Sequence, residues 1–182
     1  MGTTRPATWS RTTSSSSAGG TPVSEFTPRI DRRSFRRLAA PVADALAAID
    51  SAAVAAGLEA DLLELVKLRA SQMNGCAFCV QYHLNVARAQ QVAREKLDLL
   101  VAWREVDVYT DRERAALAWT EVLTEVELGV ADDDFDEARE VFSENELAHL
   151  SAAIGAINAW NRISVGFRFA PELPGPRKLE TV

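Results

Sequence analysis

Cysteine and histidine are both scarce in this chain, with two of each in 182 residues. A disulfide-stapled scaffold is thereby excluded, since at most one internal bridge can form. Long apolar runs are missing too, and none approaches the roughly 20 residues of a membrane span. Positive charge is in the minority: 20 Lys and Arg stand against 26 Asp and Glu, a net charge of −6. No concentrated basic face offsets that balance, which argues against nucleic-acid binding. Strand-like alternation and internal repeats are also lacking. What is present is 47% hydrophobic content over 182 residues. That is enough to bury a sizeable core in a single soluble domain.

Residues 1 to 28 differ from the rest. Thr, Ser, Gly and Pro dominate, and Ser14 to Ser17 form a serine tract. Such a segment cannot bury enough apolar surface to offset its ordering entropy, so a disordered tail is expected. Residues 29 to 172 then read as one helical domain, and 173 to 182 as a flexible C-terminal tail. Asp31-Arg32-Arg33-Ser34-Phe35 has the look of a twin-arginine export signal. Asp44 and Asp50 interrupt the following apolar stretch, which runs on without a cleavage signature. The segment therefore reads as part of the domain.

From about residue 31 onward helices are expected throughout. Residues 34 to 55 are rich in Ala and Leu, with Pro41 able to open a helix at its first turn and Gly57 as a stop. Helices are expected over 60 to 73, 76 to 90 and 93 to 105. Thr110 and Glu113 form a capping box for a helix over 111 to 127. The acidic run Asp132 to Asp136 opens a helix over 133 to 141, as the helix dipole favours. Ser143 and Glu146 form a second capping box, for a long apolar helix over 144 to 165.

The two cysteines, Cys76 and Cys79, sit three residues apart. Random placement gives that spacing about one time in ninety, so the pair reads as a unit. Asn74-Gly75 is a breaker pair that ends one helix and starts another. Cys76, Cys79 and His83 then share one face of the second helix. Its N-terminus favours thiolate over thiol, and His83 takes or supplies a proton near neutral pH. Folding back at Asn74-Gly75 brings Glu64 level with about residue 85, within a turn of His83. Glu64 is flanked by Leu62, Leu63, Leu65, Val66 and Leu68, so its helix is expected to be buried. A buried carboxylate needs a partner or a raised pKa, and either suits a proton relay.

The run from Leu65 to Cys79, with Glu64 before it and His83 after it, resembles the signature of the alkylhydroperoxidase D-like branch of the carboxymuconolactone decarboxylase family. Ala48 to Gly57 and Ile157 to Arg162 resemble its flanking segments, so the resemblance covers roughly residues 35 to 170. It implies an all-α fold, a homo-trimer or homo-hexamer, and peroxide reduction through a cysteine pair. By the motif, Cys79 is the attacking cysteine, Cys76 the resolving one, and Glu64 and His83 the proton relay. No cofactor and no metal are implied. The partners implied are a hydroperoxide substrate and a dithiol reductant, either a lipoyl-bearing or a thioredoxin-like protein. Some members carry a histidine just before the second cysteine, where this chain has Phe78.

Rival readings accompany these. Cys76, Cys79, His83 and Glu64 offer acceptable zinc ligands, although structural zinc sites usually draw on two separated knuckles. A disulfide reductase or a redox-sensing oligomer would use the same residues. Lactone decarboxylation is not marked by this cysteine pair. His149 has no comparable company and reads as structural or exposed. Asp132, Asp133, Asp134 and Asp136 lack the glycine and distal glutamate of a calcium loop. Trp103, Trp119 and Trp160 are expected in the core or an interface. That Asn158, Trp160 and Asn161 border the pocket rests on the resemblance alone. Cys76, at the helix start, is expected to be exposed, where a reductant reaches it. A C-x-x-C pair with no other cysteine fits a cytoplasmic redox site.

Overall fold

The computed structural model describes residues 27–173. All but two residues of the serine-rich segment, and residues 174–182 of the C-terminal tail, lie outside the described residues. Within them the chain is helical and carries no strand.

The short helix α1 (Arg32–Leu38) is capped by Asp31, whose carboxylate accepts from the Ser34 N–H at 2.9 Å. The twin-arginine look-alike is therefore folded structure, anchored by the buried Phe35. Helix α2 (Ala40–Ala55) follows at a bend of 100°, with Pro41 in its first turn. Pro41 lacks the N–H that a continuous helix would need, which separates the two. Together α1 and α2 have the length and apolarity of a membrane span, but they are broken at that bend. No single helix among the described residues is long and apolar enough to cross a membrane.

Helix α3 (Ala60–Met73) is the centre of the subunit. Leu62, Leu63, Leu65, Val66, Leu68 and Ala70 are buried on nearly all its sides. Each large aliphatic side chain so placed contributes about 1.5–3 kcal/mol. The helix ends in a left-handed Gly75 at φ 64°, with the Cys76 N–H bonded back to the Ser71 carbonyl at 3.0 Å. That Schellman-type turn is the stop expected at Asn74-Gly75. It launches helix α4 (Ala77–Ala89), which packs back along α3.

The stretch expected as one helix over 93 to 105 is instead two pieces. A short helix α5 (Arg94–Asp98) gives way to a 3-10 segment, Leu100–Glu105, broken at Ala102. The break turns Leu100 and Trp103 into the core beside Leu65, Leu68 and Leu117. Helix α6 (Asp111–Thr124) begins with the Thr110–Glu113 capping box. It stops three residues short of the expected end, where a 3-10 turn, Val126–Leu128, intervenes. Helices α7 (Asp132–Val141) and α8 (Glu144–Phe167) close the fold, α8 with its Ser143–Glu146 capping box. α3 packs on α4, α6 and α8, and α2 packs on α8. Asp132, Asp133 and Asp134 serve the first turn of α7, where negative charge meets the positive end of the dipole.

Candidate active site

Two turn geometries bring the site together. At the first, three groups of α8 and α3 pin Asn74. Its side-chain amide donates to Asn158 and Asn161, each at 2.9 Å, and to the Ala70 carbonyl at 2.8 Å. The asparagines of α8 thus hold the turn that presents the cysteines, and only Trp160 of that trio lines the cavity. Cys76 is the N-cap of α4, and its sulfur accepts from the Cys79 N–H at 3.3 Å. The two cysteines are joined as a disulfide.

Both sulfur-bearing residues are buried, Cys76 at 1% exposure and Cys79 at 3%. The expectation that Cys76 is exposed at the helix start is therefore wrong. Its neighbours Gly75 and Ala77 are exposed, but the N-cap position turns its side chain inward over the helix end. Cys79, in contrast, faces a cavity of about 140 Å³.

That cavity is built from helix stripes. Residues three, four and seven apart share a face, and so α2 supplies Ala43, Leu46, Ala47 and Asp50. α4 supplies Phe78, Cys79, Tyr82 and His83, and α8 supplies Ile157, Trp160 and Ser164. The second turn geometry closes the far side. Arg168 takes a left-handed conformation at φ 57°, and the Phe169 N–H reaches the Ser164 carbonyl at 3.0 Å. The reversal puts Phe169 against Phe78 and into the cavity wall. Arg32 of α1 lies over the rings of Phe78 and Tyr82, its guanidinium 5.6 and 5.2 Å from their centroids. Phe78 is thus part of an aromatic rim.

Glu64 and His83, 19 residues apart in sequence, meet as expected. The Glu64 carboxylate lies 2.8 Å from His83 Nδ1. Its other oxygen accepts from Lys67 Nζ at 2.7 Å, and Lys67 donates on to Asp50 at 2.9 Å. A continuous chain therefore runs His83–Glu64–Lys67–Asp50. The first three groups are buried, and Asp50, 41% exposed in its side chain, ends the chain at solvent. Burial alone would raise the Glu64 pKa. The hydrogen bond and charge of His83, followed by Lys67, outweigh it and hold the carboxyl below its ordinary value. Burial would lower Lys67, yet Glu64 and then Asp50 hold it above its ordinary value. Glu64 is accordingly an acceptor, so His83 carries its proton on Nδ1. Nε2 is left as the nitrogen available to the cavity.

Lys67 and Asp50 are the residues that sequence reasoning missed. A lysine inside an apolar helix is ordinarily read as snorkelling to solvent. The signal was the three-residue spacing from Glu64, which places the two on one helix face. In this disulfide form the groups weighed as zinc ligands are engaged with other partners. Both sulfurs are bonded to each other, and both Glu64 oxygens are engaged by His83 and Lys67. Among the described residues no three His, Cys, Asp or Glu side chains are grouped to hold a metal ion. His149 hydrogen-bonds the Asn145 carbonyl of its own helix at 2.8 Å and takes no part in the site.

A helical subunit with a C-x-x-C pair opening one helix, a His one turn further along it and a Glu from the neighbouring helix behind that His defines the AhpD-like class. The chain belongs to the carboxymuconolactone decarboxylase family, in its AhpD-like branch. The family model matches residues 40–122. The uncharacterized protein YdfG of Bacillus subtilis (strain 168) is 41% identical over 103 residues, 56% of this chain and 70% of that protein. The crystal structure of ATU0492 from Agrobacterium tumefaciens, a protein of unknown function named for an AhpD-type antioxidant defence role, superposes with a TM-score of 0.74. It is 39% identical and covers 81% of this chain and 100% of its own. The debrominase Bmp8 shares the fold, with a TM-score of 0.65 and 22% identity over 73% of this chain and 72% of that one.

Proposed function

We propose that the protein is a thiol peroxidase that reduces hydroperoxides through Cys79 and Cys76. The observation that carries this is the placement of Cys79 and His83 on one wall of a cavity, with Glu64 behind His83 and Cys76 bonded to Cys79. After reduction, the Cys79 thiol gives its proton to His83 Nε2, and the resulting thiolate attacks the terminal oxygen of the hydroperoxide. The O–O bond breaks, Cys79 becomes a sulfenic acid, and the alkoxide leaving group takes a proton from His83 Nε2. Glu64 stabilises the imidazolium beforehand, because its charge faces Nδ1. The Cys76 thiol then attacks the sulfenic sulfur, releasing water and closing the disulfide.

Access decides how the pair is restored. Cys79 lines the cavity and Cys76 does not. An incoming thiolate therefore attacks the Cys79 sulfur and expels Cys76 as thiolate. The Cys79 N–H already donates to the Cys76 sulfur, at a helix N-terminus, which makes it a good leaving group. The second thiol of the reductant resolves the mixed disulfide and frees Cys79. A burial of 3% favours a slender dithiol, such as a lipoyl arm, over the flat surface of a thioredoxin-like protein. The same burial disfavours a role as reductase of protein disulfides. The cysteine pair itself favours thiol chemistry over lactone decarboxylation.

Peroxide consumption with a dithiol reductant tests the reading. Cys79→Ser should abolish turnover. Cys76→Ser should give a single attack and a sulfenic acid trapped by dimedone. Turnover that survives Cys79→Ser would remove the proposal.

A further inference from the structure

A site that works through a thiolate gains nothing from negative charge, because a like charge nearby disfavours the ionised thiol. Two carboxylates stand here all the same. Glu64 lies behind His83 at 2.8 Å, and Asp50 of α2 lines the cavity together with Cys79 and His83. Lys67 sits between the two. Its ammonium is 2.7 Å from Glu64 and 2.9 Å from Asp50, and its side chain is 8% exposed.

Stability alone gives little reason for this arrangement. A buried ion pair is often no better than well-packed apolar residues of the same volume, and Val66 and Leu68 beside Lys67 show that α3 carries such residues readily. Charge gives a better reason. Leaving His83 aside, Glu64, Lys67 and Asp50 together carry one negative charge, and without Lys67 they would carry two. The other cations on the cavity wall do not substitute for it. Arg32 and Arg36 of α1 face Glu172 and Asp44 at 3.8 and 3.6 Å, and all four side chains are at least 38% exposed, so solvent screens them. From α4 the wall receives the His83 imidazole and the Tyr82 phenol besides Cys79, and from α8 no ionisable group.

We infer that Lys67 is a positioning residue for the reactive thiol: held by Asp50, it fixes Glu64 on His83 and supplies the buried positive charge that lets Cys79 ionise beside two carboxylates. This rests on the peroxidase reading for the oxidant, since there the thiolate so favoured is the one that attacks the hydroperoxide.

Thiol ionisation tests this without turnover. In a Cys76→Ser background the reduced full chain has a single thiol, Cys79. Its ionisation is followed by ultraviolet thiolate absorbance against pH, with folding checked by circular dichroism. Lys67→Met should move the midpoint up by about one pH unit, the low end for a charge close to a titrating group. Asp50→Asn keeps an oxygen that accepts from Lys67 but removes a negative charge. It should move the midpoint down, and by less, because solvent reaches Asp50. At that half-exposed position the fold is not at stake, so Asp50→Asn decides the matter even where Lys67→Met does not fold. An unmoved or raised midpoint in Asp50→Asn, or an unmoved or lowered one in folded Lys67→Met, would overturn the inference. Shifts of the expected signs in a chain that consumes no peroxide would uphold it and remove the peroxidase reading.

Discussion

At the scale of single residues, the site is a set of buried charges that satisfy one another. General acid–base help is typically worth 10²–10⁴-fold. Glu64→Gln or His83→Phe should cut peroxide turnover by roughly that factor. The double variant should lose little more, because both changes break one unit. Additive losses would show two independent roles. Lys67 is the other test. Glu64 and Lys67 are a buried ion pair, and removing one partner leaves the other charge short of compensation. Lys67→Met should destabilise the fold by about 3 kcal/mol, the low end for such pairs because His83 remains. Glu64 sits below its ordinary pKa in the folded protein. Its contribution is therefore present above the unfolded value and is lost as pH falls through the folded one. The gap in thermal midpoint between wild type and Lys67→Met should be wide at pH 7 and narrow as pH falls below 4.5. A gap constant with pH would make Lys67 a packing residue only. The four motif residues were legible in the sequence because fixed spacings carry them. Lys67 and Asp50 were not, because only the fold brings α2 and α3 together at that pair.

At the scale of elements, what was legible depended on how local the cause is. Both capping boxes span four residues and are present as read. The break at Ala102 has no glycine or proline to announce it. It is imposed by Leu100 and Trp103 entering a core made by α3 and α6. The left-handed Arg168 that returns Phe169 to the cavity is equally silent, since no glycine marks it. The α8 cap gives a pH signature of its own. The Ser143 N–H and hydroxyl donate to Glu146 at 3.0 and 2.8 Å, and Arg112 pairs with it. Those Ser143 bonds first, and Arg112 after them, hold Glu146 down from 4.5 to about 2. Because the folded value is the lower one, this stabilisation is full above 4.5 and lost as pH falls toward 2. Glu146→Gln should therefore be less stable than wild type at neutral pH and match it near pH 2. Acid denaturation followed by circular dichroism checks this. Parallel curves over that range would sink it.

At the scale of the whole molecule, the expected homo-oligomer is open to test at one surface. α3 is covered within its own subunit by α4, α6 and α8. The outer side of α8 is different. Ala148, Ala152 and Gly155 are exposed there at successive turns. Small residues on one stripe let another helix approach closely. A homo-trimer or homo-hexamer joined through this side would scatter light as three or six times the 19.9 kDa of one chain. Ala152→Arg should return it to a monomer. A wild type that is monomeric at micromolar concentration would end the idea.

The two ends of the described chain are stitched together. The Arg29 N–H donates to the Phe167 carbonyl at 2.9 Å, its guanidinium reaches the Gly166 carbonyl at 3.0 Å, and Arg32 faces Glu172 at 3.8 Å. Phe35 packs on Phe167 and Phe169 beneath them. The seam makes the order of helices along the gene a matter of history more than of geometry. A circular permutant opened at the exposed Gly129, with a short linker joining residues 27 and 173, would have the same neighbours everywhere else. It also sets a practical rule for handling the protein. Any affinity handle or fluorophore fused at residue 27 or 173 hangs within a few residues of this seam and of Arg32, which lines the cavity. Labels belong at the Gly129 loop instead.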